Sequence, residues 1–392
     1  MRLRPAFALA LVLTLCAPRD AYAQTTLSAG PLRVSIDQRG VLTALTNPST
    51  GRNDLAPDTV APLLSIASDG RRFAPTQLVA TRAAGGTTLT LRYPALGAQI
   101  VVRARETPTH LTLEVIRAAP ADRIHAVIWG PFPTVIGATI GEIIGVVRDG
   151  TTALGLQVLN AKTLGGDLPN SEGSTWARGI AATPRTFGSS IQAYSINRAR
   201  ARRVDAWGGV YRDMPVAPIP NETVVGSKIA LFSCDESNVL DVLEKVELAE
   251  GLPHPTINGT WFRRSPVFER SYLISSFGEG EVDEMLAATK RAGLMSLYHE
   301  GPFKSWGHFI LDSAQFPHGR SGLKAAADKA HALGLYLGVH VLSNFINTND
   351  PYVTPVPDSR LSITGQTTTS AIDATTRTAL CRRANAVRRC GT

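Results

Sequence analysis

The segment 294–350 limits the possible folds of this chain more than any other, because it carries two hydrophobic periods in a fixed order. Short apolar runs at 294–298 and 335–340 have the length of buried strands. Between them, residues 321–333 have apolar side chains at helical spacing, and Gly334 follows where a helix C-cap favours positive φ. Two strands joined by a helix predict a parallel βαβ unit with a right-handed crossover.

Polar residues stand where the two predicted strands end. His299 and Glu300 come after the first strand, and His340 and Asn344 end or follow the second. The carboxyl ends of parallel strands share one edge of a sheet, and α/β proteins place their chemistry there. We therefore expect these four side chains at one edge of the sheet.

The loop between the first strand and the helix contributes two further candidate residues, Trp306 and His308. Aromatic rings stack on the apolar faces of sugars, and Glu300 could act as an acid, a base or a hydroxyl acceptor. The predicted substrate-binding residues are His299, Glu300, Trp306, His308, His340 and Asn344. A hydrogen-bonded structural role is the alternative for each histidine. No ligand spacing supports a site made of the three histidines, so we expect no metal and no cofactor.

Residues 24–234 are predicted to form a β-sandwich domain. The segments 87–93 and 110–116 alternate apolar and polar residues, as half-buried antiparallel strands do. Similar runs recur with Gly, Pro, Asp and Asn between them, which is typical of a large sandwich. The next segment, 235–255, is predicted to be a helical linker. Its helix ends at Gly251, and the two prolines that follow prevent it from continuing.

Residues 256–361 continue with alternating strands and helices. A strand at 272–277 and a helix at 280–292 precede the βαβ unit, which predicts the first part of a (β/α)8 TIM barrel or, alternatively, a doubly wound sheet. Residues 362–392 are polar and then Arg-rich, and we expect an irregular, disordered tail. A complete barrel needs about 250 residues. We therefore expect a chain truncated within the barrel, for example by a frameshift; a naturally short form is the alternative.

The N-terminus has the features of a secretory signal peptide. Arg2 and Arg4 precede an apolar core at 6–17, and Ala21-Tyr22-Ala23 fits a cleavage site. The apolar core is too short for a transmembrane helix. We predict cleavage after Ala23, a periplasmic or secreted protein, and no membrane span.

Charge and motifs argue against several functional classes. The net charge of +8 includes arginines clustered at 198–203 and in the tail. Such patches can bind nucleic acid or an anionic polymer, but no aromatic residues alternate with these arginines, so we interpret them as solvated and expect no nucleic-acid partner. The four cysteines show no disulfide or metal spacing. No phosphate-binding loop and no G-x-S-x-G elbow is present, which disfavours nucleotide chemistry and ester hydrolysis.

Three motifs around the predicted helix resemble a known family. Phe316-Pro317-His318-Gly319 precedes the helix, His331-Ala332-Leu333-Gly334-Leu335 ends it, and 336–340 forms the next strand. This pattern resembles the secreted glycoside hydrolases of the α-galactosidase (melibiase) type. The resemblance implies a β-supersandwich joined to a (β/α)8 barrel, and hydrolysis of a glycosidic bond by two carboxylates.

The chain departs from that family where the family binds sugar hydroxyls. The family has an Asp-Asp-Gly-Trp-like segment after its second strand, whereas this chain has Tyr298-His299-Glu300-Gly301. The family's catalytic carboxylates come from later barrel strands, so neither role is transferred to a residue here. We predict an exported, glycoside hydrolase-like protein that lacks its catalytic pair and takes an oligo- or polysaccharide. A non-catalytic carbohydrate-binding envelope protein is the alternative, and a polysaccharide lyase is a third, less supported reading.

Overall fold

The structure of the protein is a computed structural model, which describes residues 24–141, 144–168, 180–206, 211–269, 271–342, 345–361, 367–368, 380–383 and 386–389. The predicted signal peptide, 1–23, lies outside the described residues. The chain divides into two units, Met1–Arg263 and Arg264–Thr392. The division comes after Arg263, whereas the sequence placed the start of the second domain at residue 256.

The first unit is built from short strands and a helix, α1 (Val239–Glu250). Its described strands are β1 (Thr25–Ala29), β2 (Leu32–Ile36), β3 (Leu42–Asn47), β4 (Arg52–Asn53), β5 (Leu64–Ser68), β6 (Arg71–Phe73), β7 (Gln77–Ala83), β8 (Gly86–Tyr93), β9 (Ala98–Glu106), β10 (Leu111–Ala119), β11 (Ala126–Thr134), β12 (Thr139–Gly141), β13 (Val146–Arg148), β14 (Thr152–Val158), β15 (Leu164–Gly165), β16 (Ala182–Arg185), β17 (Gly188–Ile196), β18 (Arg202–Ala206), β19 (Tyr211–Val216), β20 (Lys228–Asp235), β21 (Thr256–Ile257) and β22 (Thr260–Trp261).

Two large antiparallel sheets form the body of this unit. One has the strand order β12-β13-β14-β20-β10-β9-β8-β7, and the other has the order β15-β17-β11-β5-β6. The alternating residues Leu89 and Leu91 of β8 are buried in the same apolar cluster as Trp129 and Phe132 of β11. The two inner faces therefore share one core, as in a β-sandwich, and the alternation in the sequence correctly predicted it.

Helix α1 belongs to the first unit, although its segment was predicted to be a linker. Val239, Leu243 and Val246 are buried in one cluster with Phe232 of β20. At the end of the helix, Glu250 forms ion pairs with Lys228 of β20 and Arg105 of β9 in the large sheet. The helix is therefore packed on the sandwich, because its apolar side finds a partner there.

The second unit alternates strands and helices. Its described elements are β23 (Tyr272–Ser275), α2 (Val282–Arg291), β24 (Ser296–His299), β25 (Phe303–Ser305), β26 (Ile310–Leu311), α3 (Gly319–Ala332), β27 (Tyr336–Val339), β28 (Thr367–Thr368), β29 (Leu380–Arg383) and β30 (Ala386–Arg389). Strands β23, β24 and β27 form a parallel sheet in that order. The βαβ unit predicted from the sequence is therefore present. The described part of the chain forms an open parallel sheet and no closed barrel.

The two faces of this parallel sheet differ. Leu297 on one face is buried in a cluster with Leu286 of α2 and Ala330 of α3. On the other face, Tyr272 and Tyr336 are each more than half exposed, at 54% and 55%. Both helices thus cover the same side of the sheet, and the opposite side is open among the described residues.

The start of α3 is fixed by a carboxylate. Glu279 accepts hydrogen bonds from the His318 backbone N–H at 3.0 Å and from its ring Nδ1 at 2.7 Å. The bond from the His318 ring holds the pKa of Glu279 below its usual value. Gly322 has no room for a side chain, because a Cβ there would lie 1.8 Å from Oε1 of Glu279. The Phe-Pro-His-Gly motif thus acts locally by anchoring the helix.

The described part of the tail contains strands, which differs from the irregular structure that we expected. Strand β29 pairs with both β28 and β30 in antiparallel register. Backbone groups make these bonds, so the pairing does not require the apolar side chains whose scarcity led to that expectation. No helix in the described residues is both long and apolar enough to cross a membrane.

Candidate functional site

The candidate site lies at the carboxyl edge of the parallel sheet, where β24 ends at His299 and β27 ends at Val339. The backbone N–H of His340 donates to the carbonyl of His299 at 2.9 Å, so the two strand ends stay paired to this point. The chain then leaves each strand in a loop that carries polar and aromatic side chains.

His299 is a structural residue, which corrects its predicted role in ligand binding. Its ring is fully buried between Phe277 and Phe316, with ring centroids 4.7 and 5.7 Å away. Nε2–H donates to the carbonyl oxygen of Phe277 at 2.9 Å, and Nδ1 accepts from the backbone N–H of Gly301 at 3.0 Å. Burial lowers the pKa of His299, so the neutral ring is favoured. Both nitrogens are used by the protein, and neither is free for a ligand.

Glu300, the next residue, is exposed. Its Oε1 accepts a hydrogen bond from the hydroxyl of Ser276 at 2.6 Å. Ser276 follows β23, so this contact joins the ends of two neighbouring strands. The carboxylate retains acceptor capacity for a hydroxyl group, since a carboxylate has about four acceptor positions.

Tyr298 and His340 form a pair on the open face of the sheet. The Tyr298 hydroxyl lies 2.9 Å from Nδ1 of His340, and the two rings meet edge to face. Tyr298 lies opposite Gly338 in the register, and a Cβ on Gly338 would lie 2.7 Å from the tyrosine ring. A larger residue at 338 would therefore displace the tyrosine. With Nδ1 engaged, Nε2 is the ring nitrogen of His340 left for another partner.

Trp306 lies beside this pair. Its ring centroid is 5.9 Å from that of His340 and 6.4 Å from that of Phe345. Its backbone N–H donates to Oδ1 of Asn347 at 2.6 Å, and its carbonyl accepts from the backbone N–H of Asn347 at 3.1 Å. The tryptophan is half-buried, so part of its ring is accessible. Asn347, which follows β27, thus holds the backbone of Trp306, which lies between β25 and β26.

Asp350 is the centre of this connection. The carboxylate is fully buried and accepts four hydrogen bonds, all between 2.7 and 3.0 Å: from the hydroxyl of Ser305, the backbone N–H and ring Nδ1 of His308, and the backbone N–H of Tyr352. Burial alone raises the pKa of Asp350, but these bonds outweigh it and hold the pKa well below the usual range. Gly307 is required here, because a Cβ would lie 2.6 Å from the carboxylate.

His308 is held by Asp350 on one side and by a ring on the other. Because Asp350 is ionised, Nδ1 of His308 is the donor in their 2.7 Å hydrogen bond. The imidazole stacks on Tyr352 with centroids 4.0 Å apart. The side chain is 44% exposed, so its orientation is fixed while the ring remains accessible. This orientation suits a proton acceptor or a hydrogen-bonding partner at Nε2.

The remaining candidates separate into two groups. Asn344 lies outside the described residues. Two further aromatic residues of the predicted second domain, 256–361, are not accessible: Trp261 is buried in the first unit, and Phe316 is buried in the core of the second. Among the described residues, no group of three or more His, Cys, Asp or Glu side chains is arranged to hold a metal ion.

Two contributors were not predicted as site residues. Tyr298 is brought to His340 by the register of β24 and β27, which the sequence does not specify. Asp350 follows Asn347 and Asn349 and precedes Pro351, a composition typical of turns, which does not show what the carboxylate binds. The separation of more than 40 residues between Asp350 and its partners hid the connection.

Comparison with known proteins gives distant structural likenesses. No family model and no curated protein matches the chain. Among solved structures, the GH36 α-galactosidase AgaA from Geobacillus stearothermophilus has 13% identity over 84% of this chain and 58% of its own, with a TM-score of 0.37. An α-galactosidase from Lactobacillus brevis is 9% identical, and the match covers 85% of this chain and 56% of the α-galactosidase, with a TM-score of 0.36. A putative aldose 1-epimerase from Escherichia coli K12 has 12% identity over 54% of this chain and 99% of its own, with a TM-score of 0.23.

The chain thus spans less than two thirds of the length of these α-galactosidases.

Proposed function

We propose that this protein binds an oligo- or polysaccharide at the carboxyl edge of its parallel sheet, in the manner of a glycoside hydrolase-like protein. The observation that carries the proposal is the cluster of Trp306, His340 and Tyr298 at the same sheet edge as the exposed Glu300, which follows β24. A sugar ring presents an apolar face and a rim of hydroxyls. An accessible aromatic ring next to imidazole, phenol and carboxylate groups matches both parts.

The cluster is also held in place before a ligand arrives. Asn347 fixes the backbone of Trp306, and Asp350 fixes His308 and the loop around it. A site whose side chains are already ordered loses less conformational entropy on binding. The order of these side chains therefore favours binding of a hydroxyl-rich ligand at the loops, even if each single contact is weak.

The carboxylates of Glu300 and Asp350 do not form a hydrolytic pair. Glycosidases use one carboxylate as acid and a second as base or nucleophile, and both must face the sugar. Glu300 is exposed, whereas the oxygens of Asp350 are occupied by four donors. We therefore propose that the chain binds carbohydrate without hydrolysing it. The sequence resemblance to the α-galactosidase type, with its β-supersandwich and barrel, supports a glycosidase ancestry.

Export is part of the same proposal. The charged start, apolar core and Ala21-Tyr22-Ala23 site favour a periplasmic or secreted location, in which extracellular polysaccharides are accessible. Fractionation of cells that express the full chain tests it, and a mature N-terminus at Gln24 is the expected result.

Binding can be tested by calorimetric titration of neutral galacto-, gluco- and xylo-oligosaccharides. We expect Trp306→Ala to weaken binding about three- to tenfold, the value of an aromatic stacking contact. The matched control is Tyr336→Ala, which removes an exposed ring of the same sheet at its amino end, about 13 Å along the strand from His340. Equal losses in both variants would contradict the proposed location.

Hydrolysis is tested separately with aryl glycosides. We expect no turnover above that of buffer. Turnover that disappears in Glu300→Gln would overturn the non-hydrolytic part of the proposal and leave the binding site in place.

A further inference from the structure

The outer surface of the sandwich carries a second feature that the sheet-edge site does not use. Two cavities of about 580 and 570 Å³ share Pro94 and Gly97 of the turn 94–97 in their lining. Arg92 and Arg117 line the first cavity, and Arg123 and Arg200 line the second. We call this feature the arginine groove.

The first half of the groove is uniformly basic. Arg92 pairs with Gln99 across β8 and β9, and both side chains point away from the core because their neighbours Leu91 and Ile100 are buried. No acidic residue lines this cavity among the described residues. Within the described residues, no hydrogen bond or ion pair engages the guanidinium of Arg92 or of Arg117.

A β-bulge brings Arg117 into the groove. Val115 pairs with Val102 and faces the core, so in a regular strand Arg117 would also face the core. The register shifts between Val115 and Arg117, and Arg117 pairs instead with Val101, whose side chain points outward. The extra residue therefore turns the arginine to the outer surface, as bulges do when they redirect a side chain.

The second half holds an enclosed donor without a partner. Nη1 of Arg200 is buried and makes no hydrogen bond within the described structure. An enclosed, unpaired guanidinium nitrogen is costly unless a ligand or water accepts a hydrogen bond from it. Nearby, Nη1 of Arg123 donates to the carbonyl of Leu96 at 3.0 Å, which holds this guanidinium against the turn.

The lining indicates the kind of anion. Guanidinium groups bind carboxylates in a forked geometry, and Gln99 together with Asp69 and Asp122 can bind hydroxyl groups. No Phe, Tyr or Trp lines the groove to stack a base, which argues against a single-stranded nucleic acid. We propose that the arginine groove binds an anionic polysaccharide, with the arginines on its carboxylate groups and the polar residues on its hydroxyls.

This proposal rests on the proposed carbohydrate-binding function for the class of polymer, but it concerns a different unit of the chain. Trp306→Ala leaves the groove intact, and the groove variants leave Trp306 intact. Failure of one proposal is therefore distinguishable from failure of the other.

Binding of polygalacturonate to the full chain, compared with its fully methyl-esterified form, tests the proposal at low and moderate salt. We expect the acid form to bind and the ester to bind at least about tenfold more weakly, because the ester has no charge for the guanidinium groups. The double variant Arg92→Gln/Arg117→Gln should lower affinity for the acid form about tenfold and flatten its salt dependence. The control Arg33→Gln/Lys245→Gln removes the same charge from exposed positions outside the groove and should change affinity less than about twofold.

The four substituted side chains are on the surface, so we expect both double variants to fold. Thermal melting of each variant checks this. Equal binding of acid and ester, or equal losses in the two double variants, would overturn the proposal. Tighter binding of single-stranded oligothymidine, with the same sensitivity to Arg92 and Arg117, would also overturn it in favour of a nucleic-acid site.

Discussion

The sandwich and the parallel sheet bury their side chains in different ways. In the sandwich, both large sheets turn an apolar face into one shared core, and Ile100, Leu113 and Val127 are fully buried there. In the parallel sheet, α2 and α3 cover one face, while Tyr272 and Ile274 on the other face are each 54% exposed. The closed core specifies the architecture, and the open face leaves side chains at the strand ends available for binding.

An Ile→Ala substitution should lower the free energy of unfolding by different amounts in the two regions, and the largest loss is expected in the sandwich. Ile100→Ala removes a fully buried side chain from β9 and should lower the free energy of unfolding by about 2–5 kcal/mol. Chemical denaturation followed by circular dichroism measures the change. A loss near zero would mean that the two sheets do not share a tightly packed core.

The second effect concerns the loops at the sheet edge. In Asp350→Asn, at least one of the donors around the carboxylate loses its acceptor, and we expect amide hydrogen exchange in 305–308 and 350–354 to become about tenfold faster. The control is Asp358→Asn, because the Asp358 side chain bonds to Arg360 two residues away and not to the other loop. Exchange that is equally fast in both variants would contradict a central role for Asp350.

The third effect is a pH dependence of the second unit. Burial lowers the folded-state pKa of His299, so the unfolded chain, with a histidine pKa of about 6.5, binds a proton more readily. Stability should be unaffected by this group above about pH 6.5 and should decline as pH falls toward the lower, folded pKa. Denaturation at pH 7.5 and pH 5.5 measures it, with His299→Gln as the variant in which this contribution is absent. An equal decline in that variant would assign the effect to other groups.

The smallest effect belongs to the open face. Ile274→Ala removes a side chain that is already more than half exposed and should change the free energy of unfolding by about 0.5 kcal/mol or less. Denaturation under the conditions used for Ile100→Ala makes the comparison direct. A cost comparable to that of Ile100→Ala would show that this face is covered in solution.

The elements were predictable from the sequence because their apolar periods are local. The alternating run at 87–93 became β8, and the helical spacing at 321–333 became α3 within two residues at either end. Gly334 has a φ of +72°, as its position after the helix required. In each case the information lies within the element itself.

The chemistry of the site was less predictable because it depends on distant partners. His299 has the composition of a ligand-binding residue, but Phe277 and Phe316 enclose it, and their positions follow from tertiary packing. Asp350 contacts residues of another loop, and Arg117 reaches the surface through a bulge that no pattern in β10 announces. Side-chain direction at such points is set by register and by packing, which periodicity does not encode.

We propose that carbohydrate binds at the carboxyl edge of the parallel sheet. The most direct test of this claim is amide hydrogen exchange of the protein with and without the tightest-binding neutral oligosaccharide. We expect the ligand to slow exchange in 300–308 and 340–350, with the amino ends of β24 and β27 and the sandwich unchanged. Protection confined to the sandwich, or no protection at a saturating concentration, would contradict the claim.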